Sequence, residues 1–298
     1  MRVFVTGASG WIGSATVDDL LAAGHEVVGL ARSDASAAAL AARGAQVRRG
    51  DLDDLDGLAA GAADADGVIH LANKHDFVHP GVSDRAERAA VQTLGDALAG
   101  SGRPLLVAAG LAGLAEGRIA DEEDRSPFDG PDSPRGGSEN LALEYAGHGV
   151  HPVALRFAPT VHGAGDHGFI ALLVATAREK GVAGYVGDGA NRWPAVHRTD
   201  AAQAVRLALE KAPAGTRIHA VSEEGVPARE IAGAIGRGLG LPTVSIAPED
   251  AEAHFGFLGR FFAADMPASN ARTRQLLGWA PGGPTLLEDL DAGAYFRA

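Results

Sequence analysis

The octapeptide TGASGWIG, residues 6–13, constrains this chain more than any other stretch. It joins a short apolar run at 2–7 to a segment of helical period, in which Ile12, Val17, Leu20 and Leu21 share one face and Gly24 supplies the stop. Three glycines at 7, 10 and 13 between a strand and a helix serve one physical purpose. Gly7 permits a tight turn, Gly10 lets the backbone approach a pyrophosphate, and Gly13 lets the helix pack on the strand. The N–H groups and positive dipole end of the helix then face the phosphates. Ser9, Trp11 and Ile12 complete the loop. A purely structural glycine turn is the rival reading, and the rhythm of the chain after it argues against that.

That rhythm alternates. Strands are predicted at 25–32, 45–51, 67–72, 104–110 and 151–159, with helices between them, the longest at 83–99. Near-continuous apolar strands separated by helices predict right-handed crossovers and a parallel sheet covered on both faces. The expected class is therefore α/β: a Rossmann-type, doubly wound parallel sheet. Beyond Pro159 glycine-rich loops, helices at 169–180, 200–211 and 228–239 and short Pro- and Gly-rich pieces predict a smaller C-terminal substrate lobe. Residues 1–160 read as the NAD(P)-binding core and 161–298 mostly as the lobe, with some segments returning to the core.

The end of the second strand discriminates between cofactors. An acid there would bind ribose hydroxyls; this chain has Ala31, Arg32 and Ser33 instead. An arginine can grip a 2′-phosphate through charge-assisted hydrogen bonds, so NADP(H) is expected over NAD(H). The rival reading leaves Arg32 solvated and gives the acidic role to Asp34, which better suits the cap or start of the next helix. Asp51, followed by Leu52, ends the third strand and is read either as an adenine contact or as a helix cap. Leu71, Ala72 and Asn73 end the fourth strand, where the inner ribose would pass.

Bulk properties exclude other classes. The net charge of −12 disfavours a general nucleic-acid binder, since counterion release needs a positive surface. The absence of cysteine removes disulfides, thiolate nucleophiles and cysteine metal sites. No apolar run has the length of a membrane span and the N-terminus lacks a signal-peptide pattern, so a cytoplasmic protein is expected.

Together TGASGWIG, GDLDD at 50–54, HLAN at 70–73, LRFAPTVHG at 155–163, GDGANRWPAVHRTDAA at 187–202 and LLGWAP at 276–281 resemble the short-chain dehydrogenase/reductase superfamily. The match is to its extended and atypical members, the group labelled NAD-dependent epimerase/dehydratase, and covers nearly the whole chain. The resemblance implies Pro159 as a further cofactor contact and a homodimer as a possible assembly. It also implies a Ser–Tyr–Lys active site, with Tyr and Lys four residues apart on the helix after strand five and the lysine charge lowering the tyrosine pKa. This chain departs from that pattern at every member. It has no Tyr-x-x-x-Lys; Tyr145 is followed at the Lys place by Gly149. Alignment by Glu144 puts Gly136 where the Tyr would stand and Asn140 where the Lys would stand, while Ala109 or Leu111 replaces the Ser.

Three loops are expected to converge on the nicotinamide end and replace that chemistry. They carry His75 and Asp76, Ser138, Glu139 and Asn140, and His162, Asp166 and His167. Candidate catalytic groups are His75, Asp76, Ser138 and His162, histidine being the side chain most easily poised near neutral pH. Asn140 is a candidate ribose ligand and His167 a substrate contact. Arg192 is read as an anion site or the partner of a local acid, and Trp193 as a stacking platform or a packed core residue. For each of these loop residues the bland alternative is solvation or a bond to local backbone. The histidine spacings match no metal-ligand motif, and no metal is expected. The leading expectation is hydride transfer on a small organic substrate, with a proton donor other than the family tyrosine. A redox-silent NADP-binding sensor, and an isomerase, dehydratase or cyclase without net redox change, are the alternatives.

Overall fold

Strands that are apolar on both sides can be buried only in a sheet with helices on each face. The computed structural model describes residues 1–76 and 79–296. In its first half β1 (Arg2–Thr6), α1 (Trp11–Ala22), β2 (Glu26–Ala31), α2 (Asp34–Ala42), β3 (Gln46–Arg49), α3 (Leu55–Ala63), β4 (Gly67–His70), α4 (Pro80–Leu98), β5 (Pro104–Gly110), α5 (Ser138–Glu144) and β6 (His151–Phe157) follow one another. Next come β7 (Thr160–His162), α6 (Phe169–Lys180), β8 (Ala183–Val186), β9 (Arg192–His197), α7 (Arg198–Lys211), β10 (Thr216–Ala220) and β11 (Glu223–Pro227). The chain closes with α8 (Ala228–Leu239), β12 (Thr243–Ile246), α9 (Ala251–Phe255), α10 (Leu258–Phe262), α11 (Ala271–Leu277) and α12 (Leu286–Asp291).

Seven strands form one sheet in the order β10-β6-β5-β4-β1-β2-β3, with every pairing parallel. The pleat divides the core. Val3 and Val5 point to one face with Val17, Leu20, Leu106 and Val205, under α1 and α7. Phe4 points to the other with Leu58, Ala62, Val91, Leu94 and Leu105, under α3 and α4. The chain runs outward from β1 to β3 and returns to β4 on the far side of β1, so the strand order reverses between β1 and β4. In an open α/β sheet this reversal opens a crevice at the carboxyl ends of the strands, where ligands bind.

In the core two elements escaped the sequence pattern, as did the strands of the lobe. The seventh strand, β10, reads TRIHA, and its Arg217 and His219 hide the apolar alternation. Helix α3 is Ala- and Gly-rich and starts at an Asp54 cap. Helix α4 begins at Pro80 rather than 83, because proline is well placed in a first turn, where its missing N–H costs nothing. The lobe has a three-stranded sheet, β11-β9-β7, and a two-stranded one, β12-β8. Its own core gathers Ile170, Leu173, Trp193, Ile231, Ile235, Phe262, Leu286 and Leu290. Helix α7 and strand β10 pack with the large sheet instead. No described helix is long and apolar enough to cross a membrane.

Candidate functional site

The crevice between β1 and β4 begins at Gly7, whose φ is +66°. A Cβ there would stand 2.7 Å from Ala72 N and 2.8 Å from Leu71 C, so the ends of the two strands touch backbone to backbone. A Cβ on Gly13 would lie 2.0 Å from Gly7 O, which fixes helix against turn. Ser9 and Gly10 are exposed, Trp11 and Ile12 half-buried. Gly10 is the N-cap of α1, and no side chain caps that end. A helix N-terminus left open above a glycine cradle fits the pyrophosphate of a dinucleotide. Arg198, at the start of α7, adds positive charge: it donates to Trp11 O (2.7 Å) and Ser14 Oγ (2.5 Å) and stacks 4.2 Å from the Trp11 ring centre. The Trp11 indole N–H donates to Val161 O at 2.6 Å, so this ring ties α1 to the lobe.

At the end of β2 Arg32 is exposed, and its guanidinium has no hydrogen bond among the described residues. Ser33 is committed to a capping box with Ser36 at the start of α2, and Asp34 is paired with Arg49 at 2.7 Å. Asp51 does not cap a helix. Its Oδ1 accepts from Asp53 N (2.8 Å) in a tight turn, and the cap of α3 is Asp54, three residues on. Leu52 is buried beneath that turn.

At the other end of the crevice a network of polar side chains centres on Arg135, which the sequence pattern does not single out. It lies in a single 3-10 turn, residues Pro134–Gly137, with φ at +57°. One face of α4 grips this turn. Asp84 accepts from Arg135 N (2.7 Å), Arg88 donates to Gly136 O (2.6 Å), and Glu87 takes the Arg135 guanidinium. Arg135 Nη2 donates to Glu87 Oε1 (2.5 Å) and to Ala108 O (2.9 Å), and Nε reaches both Glu87 oxygens at 3.0 and 3.2 Å. Glu87 is buried, and burial pushes its carboxyl up against the opposing pull of Arg135. Asn73 Nδ2 donates to Glu87 Oε2 at 2.6 Å, while Asn73 Oδ1 accepts from Ser83 Oγ (3.1 Å) and His75 N (2.7 Å). The Asn73 side chain therefore braces this network rather than standing free for a ribose.

His75 sits just above, at φ +50°, and partial desolvation with the charges of Arg135 and His167 lowers its pKa. Asp76 accepts from His79 N at 2.8 Å, and its other oxygen lies 3.4 Å from His79 Nδ1. His70, fully buried at the end of β4, holds Thr6 Oγ1 at 2.8 Å through Nδ1; burial and then the Arg135 charge lower its pKa to about 4.

The helix that would carry the family tyrosine serves other ends. Gly136 has φ +60°, and a Cβ on it would stand 2.6 Å from Asp84 O, so no tyrosine fits its place. Ser138 Oγ donates to Arg135 O (2.6 Å), closing the turn. Asn140 Nδ2 donates to Ser126 O and Phe128 O, pinning the long loop before the turn. Ser138 and Asn140, expected at the nicotinamide, are thus buried structural ties. Glu139 points away into a buried ion cluster, 2.6 Å from Arg156 Nη2 and 3.2 Å from Arg217 Nε. Tyr145 packs on Gly95, with its hydroxyl 2.6 Å from Asp96 Oδ1, and burial raises its pKa.

Three candidates on the lobe side are engaged within the protein, Arg192 and Trp193 in the second of the two readings given for each. His162 is fully buried with Nδ1 2.6 Å from Asp289, because pairing of β7 with β9 turns it inward beside His197. Trp193 is fully buried in the lobe core with its N–H on Phe261 O (3.0 Å), and so offers no stacking face. Arg192 is paired in a fork with Asp265, at 3.1 and 2.9 Å. His167 is exposed at the rim, edge-on to Trp11, and Pro159 is half-buried between β6 and β7. A cleft of about 410 Å³ opens beyond the end of β5, lined by Ala112, Gly113, Ala115 and Glu116 from the loop after β5 and by Arg260, Phe261, Ala264, Asp265 and Met266 from the lobe.

The family model for the NAD dependent epimerase/dehydratase family matches residues 3–221. An uncharacterized protein of Schizosaccharomyces pombe is 48% identical over 297 residues, covering 99% of this chain and 100% of that protein. A 4-hydroxy-2-methyl-3-oxo-4-farnesyl-3,4-dihydroquinoline-1-oxide ketoreductase of Stigmatella aurantiaca is 30% identical over 226 residues, 72% of this chain and 66% of that protein. In fold the chain is similar to a dTDP-glucose 4,6-dehydratase from Streptomyces venezuelae solved with NAD, with a TM-score of 0.77, 23% identity and coverage of 100% and 97%.

Proposed function

The chain belongs to the NAD dependent epimerase/dehydratase family, and from that premise we propose that it is an NADP(H)-dependent reductase of a small carbonyl compound. The observation that carries the reading is the open N-terminus of α1 above Gly7, Gly10 and Gly13, with Arg32 exposed at the end of β2. The α1 N–H groups would hold the pyrophosphate, aided by the Arg198 charge, and Arg32 the 2′-phosphate. A bound nicotinamide supplies the hydride; the protein supplies position and electrostatics. The cleft after β5 offers the substrate apolar surface from Ala112, Ala115, Phe261 and Met266 beside the charges of Glu116, Arg260 and Asp265, and is open to solvent. Similarity to a ketoreductase supports the direction of the chemistry.

The test is direct. Purified protein is titrated with NADPH and NADH by fluorescence, then incubated with NADPH and a panel of ketones, aldehydes and enones while the reduced-nicotinamide absorbance is followed. Tighter NADPH binding and turnover of some panel member are expected. NADPH binding without turnover of any member overturns the reductase assignment, and tighter NADH binding overturns the cofactor assignment. A product formed without net NADPH consumption would favour an isomerase or dehydratase, the chemistry named for the similar sugar-nucleotide dehydratase.

A further inference from the structure

We propose that Arg135 holds the reacting oxygen of the substrate, donating from Nη1 to a single oxygen on which negative charge accumulates; this rests on the reductase reading above. A guanidinium has five N–H donors. Arg135 spends three. Nε and one Nη2 hydrogen go to Glu87, and the second Nη2 hydrogen goes to Ala108 O. Both Nη1 hydrogens are without a partner among the described residues. Because the outward Nη2 hydrogen is taken, the paired edge that would grip a carboxylate with two parallel bonds is half occupied. One oxygen fits Nη1 well; a two-oxygen fork does not.

Ala108 lies in β5, and the loop leaving the same strand lines the cleft of about 410 Å³. The guanidinium is held by a buried carboxylate, a strand carbonyl and a left-handed turn gripped by α4, so its direction is fixed before any substrate arrives. Preorganised charge of this kind stabilises a developing oxyanion without reorganisation. With a carbonyl oxygen placed beside Nη1, Arg135 would stabilise the negative charge that reduction of the carbonyl carbon puts on that oxygen. The proton that completes the alcohol comes from solvent water, since an arginine keeps its proton at neutral pH. Arg135 would then be a catalytic residue and Glu87 a positioning residue.

The experiment uses 4-cyanophenol, whose phenolate has a single oxygen and reports its ionisation by a shift in ultraviolet absorbance. It is titrated into the NADP⁺ complex of the full chain over a range of pH. Binding is expected to favour phenolate over phenol, lowering the apparent pKa of the bound probe. Arg135→Gln should weaken phenolate binding at least tenfold while NADP⁺ affinity stays within twofold. Arg135→Lys should fall between. Glu87→Gln removes the carboxylate that aims the guanidinium but leaves the Arg135 charge, and should weaken phenolate binding severalfold; this variant also serves if the Gln variant at 135 fails to fold. Equal ionisation of the probe in wild type and all three variants overturns the proposal. Tighter binding of acetate than of phenolate through Arg135 overturns the single-oxygen assignment. NADP⁺ binding by the wild type is read separately, so loss of the cofactor reading is distinguishable from loss of this one.

Discussion

At Gly136 the backbone lies at φ +60° with Asp84 O and the Arg88 side chain against the missing Cβ. Left-handed backbone costs an ordinary residue about 1–2 kcal/mol, and the close contact adds to it. Gly136→Ala is therefore expected to destabilise the protein by at least about 2 kcal/mol in urea denaturation. Gly136→Tyr, which would write the family tyrosine back at its aligned place, should disrupt the turn without restoring an acid. His70 supplies a pH prediction. Its pKa falls from 6.5 to about 4 on folding, through burial first and the Arg135 charge second. Between those values the unfolded chain takes up a proton that the folded chain refuses, so stability is complete above pH 6.5 and is lost as pH falls toward 4. The loss attributable to His70 reaches about 3 kcal/mol at about 1.4 kcal/mol per unit. Denaturation curves of wild type and His70→Asn at a series of pH values should diverge over that window; parallel curves would refute the assignment.

The β2–α2 junction and α4 show at the level of elements how local and distant information divide. The junction was legible, because a cap, a strand end and the charge between them are neighbours in sequence. Ser33 caps α2, Asp34 pairs with Arg49, and Arg32 is left outward. Arg32→Asp should reduce NADPH affinity about tenfold or more with little loss for NADH, since a charge-assisted bond contributes about 1.5–3 kcal/mol; equal loss for both cofactors would count against a 2′-phosphate role. Helix α4 is the opposite case. Asp84, Glu87 and Arg88 are spaced to share a face, but nothing local says that the face grips a turn 48 residues away. A charged residue between a proline and two glycines was the available signal for Arg135, and it has meaning only beside Glu87.

Across the whole molecule, buried polar ties join segments that the sequence leaves unrelated. Glu139 holds Arg156, which is fully buried in β6, and Arg217 of β10. Arg156 also donates to Asp124 O and lies 3.2 Å from His219 Nε2, whose Nδ1 lies 2.8 Å from Ser269 O. Removing one partner leaves an uncompensated buried charge, at a cost of about 3–5 kcal/mol. Glu139→Gln should lower stability by about 3 kcal/mol or more in denaturation, far more than loss of an exposed pair such as Arg237–Asp291. Core and lobe are joined by a further tie, from the Trp11 N–H to Val161 O, while Arg198 of α7 holds Trp11 O and Ser14 within the core.

By itself the sequence determined the class of sheet, the succession of its first six strands along the chain and the glycine cradle under α1, because period, caps and glycine spacing are properties of adjacent residues. Only the tertiary structure decided which polar side chains meet. It sent His162, Trp193, Glu139 and Asn140 inward to satisfy the core, added β10 as the seventh strand, and set Arg135 against Glu87 and Ala108 at the end of the sheet. Burial and partnership depend on the register of strands and on the face of a helix that a distant turn happens to meet, and no local pattern encodes either.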